Sequence, residues 1–130
     1  MITEDYVSYD TAKLLKEKGF DESTIMRYDS NGEISSDGRY GHYNSLKKFD
    51  FISAPTLQMA MKWLREVHHL HIAIEMGFDI DNHQYFFYAP SICKFSNKTG
   101  ENNTPFGEEE FDTYEQACEA VIKYCLENLI

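Results

Sequence analysis

Residues 54–78 constrain the fold most, because a helical pattern passes into a strand pattern with almost no loop between them. The helix is predicted to open near residues 54–56, where proline is tolerated in a first turn, and to run to about His68. The segment HIAIEMGF then alternates, so that its isoleucines, methionine and phenylalanine share one strand face. A chain with this block has to pack a helix close to the sheet that it enters.

Helix caps written in the sequence predict two further helices. Ser8 can accept a hydrogen bond from an orphaned N–H at the start of a helix that runs from about Tyr9 to Lys18. Gly19 follows where a left-handed turn would end that helix. Near the C-terminus, Thr113 stands three residues before Gln116 in a capping-box pattern, which predicts a last helix that continues to the end of the chain.

Two hairpins complete the predicted fold. Asn31 and Gly32 suit a tight turn between STIMRY and GEIS, and a turn near Asp81 joins HIAIEMGF to the strand HQYFFYA. Residues 96–107 are polar and turn-rich, which predicts a surface loop. We expect a single α+β domain over residues 1–130, in the order α-ββ-α-ββ-α. Its architecture would be a two-layer sandwich, with an antiparallel sheet of about four strands and the helices packed mainly on one face.

The charge of the chain is uneven and disfavours whole classes of partner. Residues 1–65 carry nine basic and ten acidic side chains, whereas residues 66–130 carry three and twelve. A negative field of this kind repels nucleic acid and anionic membrane, and it favours a basic protein partner. The acidic run EEEFD at residues 108–112 is open to two interpretations: a dock for such a partner, or carboxylates favoured just before a helix N-terminus.

Cellular location is predicted from three features of the sequence. No stretch approaches the roughly 20 apolar residues that span a bilayer, and the first residues lack the regions of a signal peptide. The three cysteines form no CxxC pair, and such a sparse, odd set fits a reducing compartment. We therefore expect a cytoplasmic protein that has no contact with a membrane.

The segment REVHHLH, residues 65–71, holds three of the five histidines and suggests a metal site. On a helical wheel His68 joins the apolar arc, His69 lies among polar residues, and His71 falls on the following strand. Glu66 and His69 form one ExxH pair, but a di-iron bundle needs a second pair on a facing helix. We expect no metal and no cofactor, with His68 a buried, hydrogen-bonded core residue and His69 at the negative end of the helix dipole.

The sequence contains no familiar enzyme signature, and its remaining catalytic candidates are few. His71 and Glu75 share a strand face and, with Tyr85 or Tyr88 across from them, could perform general acid–base chemistry in a small hydrolase-like enzyme. Two cysteines of the last helix, Cys118 and Cys125, are separated by a rise of about 10.5 Å and are predicted to be packing residues.

The strand QYFFYA carries large rings on both faces, which one layer of helices cannot cover. Its aromatic residues divide between the two faces as Tyr85 with Phe87 and Phe86 with Tyr88. Tyr85 and Phe87 are the candidate binding residues. They either pack over Ala73 and Gly77, which leave room on the neighbouring strand, or form a patch that a partner or second subunit buries.

Residues 39–49 form the only basic aromatic stretch of the chain. Lysine, arginine and tyrosine interleave there as they do in a groove for single-stranded nucleic acid. This composition defines a third hypothesis, weak nucleic-acid binding, which the negative charge of the whole chain disfavours.

Three blocks of the sequence carry a family resemblance: YVSYDTAKLLKEKGFDE, APTLQMAMKWLREVHHLHIAI and TYEQACEAVIKYCLENLI. Together they resemble a family of small phage and mobile-element proteins of anaerobic gut bacteria. The resemblance implies a compact phage-type protein without assigned chemistry, and it transfers no catalytic or binding residue.

We therefore expect a non-catalytic module that binds protein or a second copy of itself. An apolar sheet face and the acidic C-terminal half would supply its contact surfaces. The small hydrolase and the nucleic-acid binder remain the alternatives.

Overall fold

The structure, a computed structural model, describes the chain apart from residues 37, 39–40, 47–49, 80, 82–84, 97–98 and 104–108. Of residues 85, 95–96 and 99–103 it describes the backbone alone. The elements in chain order are α1 (Tyr9–Glu17), β1 (Met26–Tyr28), β2 (Ile34–Ser36), β3 (Ile52–Ser53), α2 (Leu57–His68), β4 (Leu70–Asp79), β5 (Tyr85–Ser96), β6 (Thr99–Asn103) and α3 (Tyr114–Asn128). The α+β class and the alternation of helices with hairpins are confirmed.

Within the described ranges the strands form two antiparallel sheets, where the sequence predicts one sheet of about four strands. The first sheet has the order β2-β1-β3 and the second the order β4-β5-β6. Both predicted hairpins are present, since β1 pairs with β2 and β4 with β5. A further short strand joins each hairpin, β3 beside β1 and β6 beside β5, and neither short strand has a strand pattern of its own in the sequence.

The prediction of a surface loop over residues 96–107 is wrong for its central part. Strand β6, which reads TGENN, pairs with the end of β5 from Ile92 to Ser96. Glycine and asparagine have low strand propensity, but propensity is weak beside the backbone hydrogen bonds that a long neighbouring strand offers.

Helices α1 and α3 begin at the predicted caps, Ser8 and Thr113. Helix α2 begins at Leu57 with Thr56 as its cap, so the predicted proline in its first turn is wrong: Pro55 precedes the helix. Ser8, Thr56 and Thr113 each accept a hydrogen bond from the backbone N–H three residues on, which satisfies one orphaned donor per helix. Helix α1 ends as predicted, because Gly19 takes the left-handed conformation (φ 94°) and lets Phe20 N–H donate back to the Leu15 carbonyl.

Helix α2 ends at His69, which has φ 57° and is the one non-glycine residue with positive φ in the described part of the chain. A Cβ atom makes this conformation costly, so His69→Gly is expected to raise the free energy of unfolding by up to about 1 kcal/mol. Urea unfolding measures the change. The control is His71→Gly in the following strand, which should be destabilising; a loss of stability in His69→Gly would contradict the expected strain.

The core lies where the helices meet the second sheet. Helices α2 and α3 contact each other and β4, α3 also contacts β5, and α1 contacts α3 and β3. From β4 and β5 the core receives Leu70 and Ile92, both almost fully buried, with Ile72 and Ile74 packed at its margin. The second sheet therefore contributes side chains to the core from one of its faces, at the beginning of β4 and near the end of β5.

A carboxylate of α3 holds the start of α1. Glu119 accepts hydrogen bonds from the backbone N–H of Ser8 (3.2 Å), from the Ser8 hydroxyl, and from the hydroxyl of the fully buried Thr11 (2.6 Å). The negative charge lies at the helix N-terminus, where the dipole of α1 favours it. Glu119 thus caps a helix that is more than a hundred residues away in sequence.

Candidate functional site

The hairpin of β4 and β5 extends beyond the helices and leaves large apolar side chains in solvent. Its register pairs Met76 with Tyr88 and Phe78 with Phe86, on the same face that carries Ile72 and Ile74 into the core. Met76, Phe78 and Phe86 are nevertheless 62%, 45% and 58% exposed. We call these three residues the hairpin patch.

The lengths of the elements explain why the patch is uncovered. Strand β4 has ten residues and spans roughly 33 Å, whereas α2 has twelve residues and spans roughly 18 Å. The apolar pattern of the strand continues past the end of the helical layer. Within the patch, the rings of Phe78 and Phe86 lie 4.9 Å apart between centroids, so the exposed surface is contiguous.

The acidic run before α3 is held beside this patch. Phe111 forms two backbone hydrogen bonds with Tyr88, of 2.8 and 2.9 Å, and Tyr88 is the cross-strand partner of Met76. Glu109, Glu110 and Asp112, the neighbours of Phe111 in this run, are exposed. The apolar hairpin and the acidic segment, far apart in sequence, thus adjoin in the fold.

The opposite face of the hairpin is packed locally. The ring of Phe87 covers Gly77, its cross-strand neighbour, so closely that a Cβ at residue 77 would overlap the ring. The absence of a side chain at Gly77 therefore gives Phe87 its packing site. Of the two predicted binding residues, Phe87 is half-buried in this way, and the side chain of Tyr85 lies outside the described part of the chain.

The structure does not assemble the predicted catalytic group. His71 and Glu75 are both exposed, and four residues of strand separate their Cα atoms by roughly 13 Å, beyond the reach of direct proton transfer. Tyr88 pairs with Met76 and so lies on the other face of the sheet. What remains on the face of His71 and Glu75 is a solvated surface.

The histidines of residues 65–71 disperse as predicted, with one correction. His68 packs edge-on against Trp63 at 4.6 Å between ring centroids, and His69 and His71 are exposed. The predicted hydrogen bond of His68 is wrong for its buried Nε2 atom, which has no partner among the described residues. In all the residues that the structure describes, no group of three or more potential metal ligands comes together.

The environment of His68 predicts a pH dependence. Burial lowers its pKa, with smaller contributions from His69 and Lys94, because the cation would be poorly solvated against Trp63. The neutral ring is therefore favoured in the folded state. The stability contribution is complete above the unfolded pKa of about 6.5 and is lost as the pH falls through the lower folded value.

We expect His68→Phe to remove this dependence while keeping a ring against Trp63. Urea unfolding at a pH above and a pH below 6.5 measures it. The wild type should lose more stability on acidification than the variant. Equal losses in the two proteins would show that His68 does not titrate in this way.

The cysteines of α3 have no reactive character. Cys118 and Cys125 are fully buried, and burial raises the pKa of their thiols to about 11 and about 12. Both belong to the apolar core, as the helical pattern predicts. Cys93, on β5 opposite His71, is half-buried.

The nucleic-acid hypothesis rests on residues 39–49, and the structure describes only part of this segment. Arg39, Tyr40 and residues 47–49 lie outside the described part of the chain. His42 is buried, and its Nδ1 atom lies 2.7 Å from the Ser53 hydroxyl, so it has a structural role in joining this segment to β3.

A cleft of about 550 Å³ lies between the N-terminal segment and α3. Its lining includes the apolar side chains Leu57 and Phe111 and the carboxylates of Asp5 and Glu115. The lining also includes Lys123, whose ammonium group is 3.9 Å from Glu127. Because acidic side chains outnumber basic ones in its lining, this cleft, like the acidic run before α3, favours contact with basic side chains of a partner.

Comparison with known proteins adds no family. No protein-family model, curated protein or solved structure matches this chain. Among the described residues, no helix combines the length and the apolar character needed to cross a membrane.

Proposed function

We propose that this protein is a non-catalytic protein-binding module that contacts its partner through the hairpin patch. The observation that carries the proposal is the exposure of Met76, Phe78 and Phe86 on one face of the hairpin, with the rings of Phe78 and Phe86 in contact. Single exposed hydrophobic residues are ordinary, but contiguous aromatic patches mark interaction sites. Buried aromatic anchors also supply most of the affinity in protein interfaces.

The partner surface has a definable chemistry. Its centre is apolar, to bury the rings of the patch, and lysine or arginine side chains flank that centre. The acidic run held beside Tyr88 supplies the complementary charge, and the excess of acids over bases in residues 66–130 acts over a longer range.

The wider setting belongs to the same proposal. The protein works in the cytoplasm, which its sparse, odd set of three cysteines supports because secreted domains of this size favour disulfides. It serves a phage or mobile element, which the three resembling blocks of sequence support. Neither the separated His71 and Glu75 nor the acidic charge favours an enzyme or a nucleic-acid binder.

Affinity capture of partners from the native host tests the proposal, because variants of the hairpin patch show whether the capture requires the patch. We expect tagged wild-type protein to retain a partner that Met76→Ser/Phe86→Ser loses by more than about tenfold, because the anchors of the interface are gone. Ile25→Ser is the matched control, since Ile25 is 74% exposed and lies outside the patch.

Circular dichroism establishes that both variants are folded before the comparison is made. A partner retained equally by the patch variant and the control would contradict the proposal. So would a wild-type protein that retains no partner and also shows no self-association.

A further inference from the structure

Strand β4 is an open edge of the second sheet. The order β4-β5-β6 leaves one side of β4 without a neighbour, and in the described part of the chain no strand or isolated bridge pairs with that side. Its pairing with β5 is continuous from Leu70 to Asp79, with one residue opposite one throughout. The edge is therefore regular over ten residues.

This edge lacks most of the devices that keep sheet edges apart. Proteins protect edges with short strands, proline, charged side chains (lysine above all) or bulges. Strand β4 is long, has no bulge, and contains neither proline nor lysine, although it carries the carboxylates of Glu75 and Asp79. The other edges contrast with it, since β2 has three residues, all exposed, and four of the five residues of β6 have low strand propensity.

We infer that β4 pairs antiparallel with β4 of a second copy of this chain, in a register centred on Ala73. This inference rests on the proposed function, contact through the hairpin patch, and adds self-association along β4 to the contact with a basic partner. An antiparallel pair of identical edges is related by a two-fold axis normal to the sheet, so each face of one copy continues in the other. The two three-stranded sheets join into one sheet of six strands.

The sequence of β4 is self-complementary in this register. His71 of each copy lies opposite Glu75 of the other, so an imidazole N–H meets a carboxylate twice. Ile72 lies opposite Ile74 on the apolar face. Registers centred on Glu75 or on Gly77 are disfavoured, because they set carboxylates of Glu75 or Asp79 directly opposite each other.

The same arrangement brings Met76 of the hairpin patch into the interface. Met76 comes to lie opposite Leu70 of the second copy, so the exposed end of one hairpin lies beside the helix-covered end of the other. Val67, on the last turn of α2, is half-exposed and offers an apolar side chain near this junction. Backbone pairing along the edge and burial of Met76 thus arise from one interface.

Site-directed cross-linking tests the register. We use a Cys93→Ser background, because Cys93 is the cross-strand neighbour of His71, and the buried thiols of Cys118 and Cys125 stay unreactive. Ala73→Cys should cross-link to itself across the two-fold axis under mild oxidation. Glu75→Cys should not, because roughly 13 Å separates its two copies, whereas a mixture of His71→Cys and Glu75→Cys should cross-link to each other.

Sedimentation velocity tests the dimer itself. The wild type should sediment at twice the mass of one chain, and Ala73→Lys should weaken the dimer at least about tenfold by opposing two ammonium groups at the centre. Circular dichroism confirms that Ala73→Lys is folded. Efficient self-cross-linking of Glu75→Cys, or an Ala73→Lys dimer as strong as the wild type, would overturn the inference.

The outcomes separate this inference from the function on which it rests. A wild type that stays monomeric at its highest soluble concentration, yet retains a patch-dependent partner from the host, overturns the second copy and leaves the protein-binding function standing. A cross-linked dimer in which Met76→Ser/Phe86→Ser changes neither association nor capture supports the edge pairing and overturns the role of the patch.

Discussion

Glu119→Ala is expected to lower the free energy of unfolding by about 2–4 kcal/mol. The reason is that three hydrogen-bond donors at the start of α1 lose the carboxylate that accepts from all of them. The Ser8 N–H and hydroxyl can turn to water, but the Thr11 hydroxyl is fully buried and would be left without its charged partner. The start of α1 also loses the negative charge at its N-terminus. Glu119→Gln should cost less, since an amide oxygen keeps part of the acceptor role.

Urea unfolding of the variants measures this effect against a control on the same helix. Glu127 makes only an exposed pair with Lys123 at 3.9 Å, so Glu127→Ala should cost no more than about 0.5 kcal/mol. Similar losses for Glu119→Ala and Glu127→Ala would contradict a capping role for Glu119. A large loss confined to Glu119 would establish that α3 stabilises α1.

Trp63→Ala is expected to cost about 3–5 kcal/mol, the usual range for truncating a buried aromatic residue. Trp63 is almost fully buried and packs edge-to-face with Phe20, at 5.4 Å between ring centroids, and with His68 at 4.6 Å. The cavity would open between α2 and the turn after α1. Trp63→Phe, which keeps a ring at this position, should be milder.

Replacement of Trp63 has a second measurable effect, a change in the pKa of His68. Because burial is the largest cause of the lowered pKa of His68, removal of the indole should let that pKa rise toward its ordinary value. An NMR titration of Trp63→Phe and the wild type follows the imidazole directly. Met59→Ala, at an exposed position of α2, is the control and should change neither stability nor titration appreciably; an unchanged His68 in the Trp63 variants would contradict the packing described.

The helices and hairpins could be predicted because their signals are local. Ser8, Thr56 and Thr113 cap their helices through bonds that span three residues, and Gly19 ends α1 through its own φ. The alternation in β4 is equally local. A side chain-to-backbone bond over so few residues leaves a pattern that the sequence displays directly.

The division into two sheets could not be predicted, because the short strands that join the two hairpins have no strand pattern of their own. Strand β3 has two residues and β6 is rich in asparagine and glycine, so each is a strand only because β1 or β5 is beside it. Glu119 is a similar case, since nothing near it in sequence identifies it as the cap of α1. The pairing of β3 with β1 and the cap by Glu119 join residues far apart in sequence, so no periodicity reveals them.

The candidate site was half predictable for a related reason. Alternation in the sequence separates the rings of β5 into two faces, but it does not tell how far the helices reach along each face. The prediction named Tyr85 and Phe87 and left open whether they pack over Ala73 and Gly77 or form a patch; Phe87 does pack over Gly77, and among the described rings of β5 it is Phe86 that is exposed. Phe86 is exposed because β4 is longer than α2, so the helix does not reach the end of the hairpin. This difference in length can be recognised once the position of α2 on the sheet is known.

Methionine oxidation tests the central claim, contact through the hairpin patch, most directly. Met76 and Met59 are 62% and 40% exposed, so both should oxidise in the dilute protein, while the buried Met61 resists. In the complex captured from the host, or in the concentrated protein, we expect Met76 to become protected and Met59 to oxidise as before. Unchanged oxidation of Met76 in the complex would contradict the claim that the hairpin patch is the contact surface.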